Sequence, residues 1–143
     1  MEDLLYSDAL LDAAADIPAR KALDEADARA RKVSKVCGSD VEVALKVQDG
    51  TVADVAIDAK ACALGQASAS LFGRHVIGAT PNEIREGQRL LRAILKEGAS
   101  APETGRWASL KMLEPIKDYP ARHASTLLVF DAAVACLDQV EGA

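Results

Sequence analysis

Two cysteines stand at matched distances from a turn signal: Cys37 lies 12 positions before Asp49 (49 − 37), and Cys62 lies 12 after Gly50 (62 − 50). The Asp-Gly pair falls between two alternating apolar runs, Val41, Val43, Leu45, Val47 and Val52, Val55, Ile57. Such a pair predicts a hairpin, because glycine tolerates the positive φ of a tight turn. If the turn is centred there and no bulge intervenes, the two thiols face each other at the open end of the hairpin. Thiols so placed can share a metal. Cys62 also opens the helix expected from Ala63, where the macrodipole favours a thiolate, and Lys35 and Lys60 add positive potential at the same end. The competing reading is packing, since free cysteine is among the most buried residue types. For Cys136, inside the apolar C-terminal run, packing is the expected role.

The two histidines carry less information. His75 falls inside an expected helix and reads as a polar surface residue. His123 follows Pro120 and Arg122 at the start of the last helix, where a side chain can face a neighbouring site, and imidazole suits zinc or iron. The charged residues from Glu83 to Arg92 read as the solvated face of a helix. The chain has no Gly-rich phosphate loop, no Cys-x-x-Cys pair and no nucleophile elbow.

The elements that must position these groups follow from periodicity. Leu4, Leu5, Leu11 and Ala15 predict a helix from about Asp3 to Ile17, closed by Pro18. Alanine alternates with Asp27, Arg29 and Arg31, which suggests a strand within Ala26 to Val36, although alanine is a poor strand former. After the hairpin, Ala63 to Ile77 reads as a helix ending at Gly78. Thr80, Pro81 and Glu83 make a capping box for a helix running to about Leu95 and stopping near Gly98. A loop with Pro102 and Gly105 leads to a short helical piece, Trp107 to Leu113, before Pro115. The final helix is apolar almost all round (Leu127, Leu128, Val129, Phe130, Val134, Leu137) and should be largely buried. The expected fold class is α+β: residues 1–143 as one domain, a small antiparallel three-stranded meander packed with about four to five helices.

Composition bounds the partners. The 143 residues are 50% hydrophobic, enough for a real core, and only 3% aromatic, so aliphatic side chains do the packing. A formal charge of −5 argues against a nucleic-acid partner. Met1-Glu2-Asp3 is unlike a secretory leader, and no apolar run is long enough for a bilayer. Three cysteines without an export signal read as thiols or metal ligands in a reducing cytoplasm.

Three stretches carry a family resemblance. Cys37-Gly38-Ser39-Asp40, the run Ala61-Cys62-Ala63-Leu64-Gly65-Gln66-Ala67-Ser68-Ala69-Ser70, and Tyr119-Pro120-Ala121-Arg122 resemble the NifU N-terminal/IscU-type iron–sulfur scaffold proteins. The resemblance runs from Tyr6 to about Leu137, and its spacing is closest to the SufU branch. It implies three cysteines grouped at one tip, a cysteine desulfurase as sulfur donor, recipient apo-proteins, and a labile [2Fe–2S] cluster, iron or Zn2+ at the tip. By that resemblance Cys37 and Cys62 are metal ligands, and His123 or Asp40 is an alternative candidate to complete the shell. The sequence departs from the pattern where the family's third cysteine is Ser125, where Ser39 replaces the aspartate after Cys-Gly, and where Ala61 replaces the glycine before the second cysteine. Alternation puts Ser39 and Asp40 on opposite faces, so Asp40 does not simply replace the missing aspartate.

Three functions follow as expectations. The first is a cluster scaffold or carrier; a cluster wants four ligands, which Cys37 and Cys62 from two chains of a homodimer could supply. The second is a zinc-dependent sulfurtransferase of the SufU type with a persulfide on Cys62. The third is a degenerate, non-catalytic binding module in which Ser125 caps the last helix.

Overall fold

The turn at Asp49 and Gly50 sets the sheet: both residues have positive φ, 54° and 79°, the pairing that suits a two-residue hairpin. It joins β2 (Asp40–Gln48) to β3 (Thr51–Lys60), and β1 (Ala28–Val33) pairs antiparallel with β2, in the order β1-β2-β3. The meander is therefore the one expected, with a shorter first strand. The computed structural model describes residues 8–15, 23, 25–35 and 38–141. Val36 and Cys37 lie outside the described residues, as does the expected helical stretch on either side of residues 8–15.

The hairpin contains a bulge, which the count of positions from the turn to the two cysteines assumed absent. Gln48 pairs with Thr51 and Val47 with Val52, but Lys46 pairs with Asp54, which leaves Ala53 over. From there the shifted register holds to Asp40 opposite Lys60. The physical reason is burial. Val52 and Val55 are three apart and would point to opposite faces of a regular strand, yet both are buried, at 2% and 1% exposure. The extra residue turns both inward. The ladder ends at Asp40 opposite Lys60, short of Cys62, and the placement of Cys37 lies outside the described residues.

The helices are α1 (Asp8–Ala15), α2 (Ala63–His75), α3 (Pro81–Glu97) and α4 (His123–Glu141), with 3₁₀ segments η1 (Ala108–Asp118) and η2 (Pro120–Arg122) between the last two. The capping box forms as read: Thr80 Oγ1 accepts from the Glu83 amide at 3.2 Å, and Glu83 Oε1 accepts from the Thr80 amide at 3.0 Å. Gly98, with φ 71°, closes that helix. The short helix expected to end before Pro115 instead runs through it as η1, at the cost of one backbone donor.

Helix α4 lies across β1 and β2, with α2 against it and against β3; α1 packs on α2, and α3 on α4 and η1. Val41, Val43 and Leu45 alternate into this interface from β2, and Leu127, Leu128, Val129 and Phe130 bury from α4. Two of the chain's few aromatics meet a third here: Phe72, Trp107 and Phe130 have ring centroids 5.1 to 6.2 Å apart. Gly87 makes room for them, since a Cβ there would come within 2.7 Å of both Phe130 and Trp107. The Gln139 amide caps the open edge of β1, donating to the Arg29 carbonyl at 2.9 Å and accepting from the Arg29 amide at 3.3 Å. On the opposite sheet face, Leu23 covers Ala44 and Ala56, and beyond them the surface is charged. Among the described residues no helix is long and apolar enough to cross a membrane.

Cys136 takes the expected core position. It is fully buried, its Sγ donates to the Val43 carbonyl at 3.0 Å, and burial pushes the thiol up to about 11 from 9.0. The unfolded chain releases this proton first as pH rises, so stability held below pH 9 should decline towards pH 11. Thermal midpoints measured across that range should fall more steeply for the native chain than for Cys136→Ala; parallel curves would contradict the assignment.

Candidate functional site

Strand β3 ends at Lys60 and α2 begins at Ala63, so Cys62 occupies the N-cap of α2, with φ −65° and ψ 172°. Its side chain makes no capping hydrogen bond. The half-buried thiol instead faces the start of α4, where Sγ lies 3.5 Å from Ser125 Oγ. The position is electropositive, because the first-turn amides of α2 and the helix macrodipole both point towards it. Lys60, two residues before Cys62, is exposed, as is Lys35.

Several contacts hold α4 against α2 at this point. Gly65 is the first: a Cβ there would come within 2.8 Å of the Ala61 Cβ and 3.1 Å of the Ser125 carbonyl oxygen. Ser68 Oγ, fully buried, donates to the Thr126 carbonyl at 2.6 Å. The hydroxyls of Ser125 and Thr126 both donate to the Arg122 carbonyl, at 3.2 and 2.8 Å. Ser125 is 1% exposed, so its hydroxyl is fixed beside the thiol rather than solvated.

The other sequence candidates are placed apart. His123 is buried, and its Nε2 lies 3.1 Å from the carbonyl oxygens of both Ile116 and Lys117. Carbonyls only accept, so Nε2 carries the proton, and the buried Nδ1 has no hydrogen-bond partner among the described residues. His123 precedes Ser125 by two positions on α4, and residues so spaced do not share a helix face. Ser125 meets Cys62 while the imidazole turns to η1. Asp40 sits on the outer face of the sheet with Oδ2 2.8 Å from Arg31 Nη2, while Ser39 is buried on the other side, so alternation separates them as expected. Gly38, with φ 71°, donates to the Ser34 carbonyl at 2.9 Å, and the Ser34 amide donates to the Ser39 carbonyl at 2.8 Å. These bonds close the loop that contains Cys37, whose own placement is outside the described residues. Among the described residues no three of His, Cys, Asp and Glu gather as a metal-holding group. Cys62, Asp40 and His123 therefore do not make one among themselves.

His75 is half-buried rather than a plain surface residue, and burial, then the charges of Arg74 and Arg106, lower its affinity for a proton. The neighbour that sequence reasoning left without a part at the site is Ser125, which it treated as an absent ligand or a cap. The one signal pointing to it was the cluster of small polar residues, Ser68, Ser70, Ser125 and Thr126, inside otherwise apolar helices.

Comparison with known proteins fits this geometry. A scaffold protein from Thermotoga maritima, described as the iron–sulfur cluster assembly scaffold protein IscU, is 30% identical over 141 residues, covering 96% of this chain and 95% of the relative. The crystal structure of a nitrogen-fixing NifU-like protein (N-terminal) from Brucella abortus matches with a TM-score of 0.95 and 48% identity, over 99% of this chain and 97% of that one. A putative scaffold protein for the SUF system from Fervidobacterium islandicum AW-1 shares the fold at a TM-score of 0.85 and 20% identity, over 96% and 99% of the two chains. The profile described as the NifU-like N terminal domain matches residues 5–126, a span that takes in Cys37, Asp40, Cys62, His123 and Ser125. On that span and the near full-length relative, the chain belongs to the NifU-like N-terminal domain family.

Proposed function

We propose that this chain is an iron–sulfur cluster assembly scaffold, taking sulfur on Cys62 from a cysteine desulfurase and iron at the same tip, and passing the product to recipient apo-proteins. The observation that carries the reading is the thiol of Cys62: half-buried, uncommitted to capping, and at the positive end of α2. The homology supports it, since a 30% identical relative along nearly the whole chain is a scaffold of this kind. The natural setting is a reducing cytoplasm, where such thiols stay free.

The cluster is cargo here. Four ligands are the usual set for a [2Fe–2S] cluster. Cys62 and Cys37 supply two thiolates per chain, so a homodimer contributes the full set, and labile binding suits a protein that hands its cargo on. Zinc fits the described residues less well. It wants four nitrogen, sulfur or carboxylate ligands, and beside Cys62 they offer a hydroxyl, a poor soft-metal ligand.

Ser125 favours a second reading within the same site, sulfur transfer without a resident metal. In that step the Cys62 thiolate attacks the outer sulfur of a desulfurase persulfide. An S–S bond forms to Cys62, the desulfurase S–S bond breaks, and its cysteine leaves as thiolate. Only one accessible thiol is required.

Two measurements divide these readings. Anaerobic addition of ferrous iron and sulfide should produce visible charge-transfer absorbance in the native chain, lost in both Cys37→Ala and Cys62→Ala. A desulfurase supplied with labelled cysteine should label Cys62, with signal at background in Cys62→Ala and retained in Cys37→Ala. Native protein that shows neither colour nor label would leave only a binding module.

A further inference from the structure

We infer that Ser125 is a positioning residue that keeps transferred sulfur on Cys62: its hydroxyl hydrogen-bonds the charged sulfur and, not being a thiol, cannot displace it. The inference rests on the reading of Cys62 as sulfur acceptor and accounts for a hydroxyl at the point of contact.

The hydrogen-bond inventory supports a hydroxyl with two settings. While Cys62 is a neutral thiol, its S–H can donate to Ser125 Oγ, which in turn donates to the Arg122 carbonyl at 3.2 Å. A charged sulfur can only accept, so the hydroxyl must turn to it. The turn costs little, because Thr126 Oγ1 still serves the Arg122 carbonyl at 2.8 Å and no buried acceptor is left unpaired. Rigid placement makes the setting reproducible: Ser68 pins the Thr126 carbonyl, and Gly65 lets the Ser125 backbone sit close against α2. A sulfur added to Sγ lies one S–S bond away, about 2.05 Å, and rotation about the Cβ–Sγ bond can bring it within reach of the same hydroxyl.

The chemistry says why a thiol here would act oppositely. A thiolate attacking Sγ of Cys62–S–SH forms a new S–S bond to Sγ, breaks the bond to the outer sulfur and releases hydrosulfide. A thiol at the position of Ser125 would do so intramolecularly, with the advantage of contact distance. A hydroxyl offers the hydrogen bond without the displacement.

The test uses the full chain carrying Cys37→Ala, so that Cys62 is the accessible thiol while Cys136 stays buried. Inorganic tetrasulfide loads it: the Cys62 thiolate, S4²⁻ and one proton give the Cys62 persulfide and HS3⁻. Excess reagent is removed and the added sulfur is followed by intact mass. Ser125→Cys should shorten the persulfide half-life by at least about tenfold and yield a disulfide between Cys62 and the introduced thiol, with one released hydrosulfide. Ser125→Ala should shorten it by about three- to tenfold, the loss of one ordinary hydrogen bond, and Ser125→Thr should restore it. Thr126→Val, which ties the Ser125 hydroxyl to the Arg122 carbonyl, should move in the same direction as Ser125→Ala. Equal half-lives across the Ser125 series, or equal loss in the alanine and threonine variants, would sink the inference alone. A parent chain that takes up no sulfur at all overturns the acceptor reading of Cys62 and the inference with it.

Discussion

Ser125→Cys should raise the affinity for zinc by about two orders of magnitude relative to the native chain. Structural zinc sites with four ligands are worth ~10–16 kcal/mol near neutral pH, so one well-placed thiolate contributes roughly 3 kcal/mol, or about a hundredfold in affinity. The native contact is close enough for this: the two side-chain atoms are 3.5 Å apart, and two sulfurs on one zinc, each about 2.3 Å from it, lie within roughly 4 Å of each other. Chelator competition measures the affinity directly, and cobalt(II) in place of zinc gives a sulfur-to-metal absorbance that counts thiolates. The Cys62→Ala, Ser125→Cys double variant is the control and should return the native value or less. Unchanged affinity in the single variant would mean that the start of α4 does not present this position to a metal. The same substitution is expected to empty Cys62 of persulfide sulfur. The exchange of one oxygen for one sulfur thus separates two uses of the tip, holding zinc and holding persulfide sulfur.

The parts of the fold that local chemistry decides were legible. Asp49-Gly50 demanded positive φ at two adjacent positions, and Thr80, Pro81 and Glu83 carry a complete start signal for α3. Their outcome does not depend on distant residues. The bulge in β3 was legible in principle: Val52 and Val55 stand three apart where a regular strand repeats every two, and burial of both leaves a single extra residue as the solution. Counting equal distances from the turn to the two cysteines leaves that extra residue out. Pro115 misled in the other direction, because a 3₁₀ segment can pass a residue without an N–H where an α-helix would be expected to stop.

The candidate site divides along the same line. Cys62 could be placed at the mouth of the hairpin and the head of a helix because both signals lie within a few residues of it. Its neighbour could not, since Ser125 is 63 residues away and reaches Cys62 only because α2 and α4 pack with Gly65 between them. His123 shows the converse. Its type and position suited a ligand, but about half a turn of helical phase separates it from Ser125, and that phase directs the imidazole to the carbonyls of η1.

Helix α4 carries Ser125 at its first turn and Phe130 just beyond, so the core beneath Phe130 also fixes the site. Phe130 is fully buried, edge-on to Phe72 at 5.1 Å and 82°, and to Trp107 at 5.2 Å and 68°. Phe130→Ala removes both ring contacts at once. The cavity it leaves cannot close easily, because Trp107 is tied by its Nε1 donating to the Glu83 carbonyl at 2.7 Å and Phe72 belongs to the buried face of α2. A loss of about 3–5 kcal/mol is expected, a large fraction of what holds a domain of this size. At ~2–4 °C per kcal/mol the thermal midpoint should drop by roughly 10 °C. Phe130→Leu keeps most of the volume and should cost about 1–2 kcal/mol, which separates lost packing from a general intolerance of substitution. Denaturant melts of the two variants, read as a shift in midpoint at constant slope, provide the comparison. Equal destabilisation by alanine and leucine would show that the ring pairing, rather than the filled volume, is what α4 relies on to present Ser125 to Cys62.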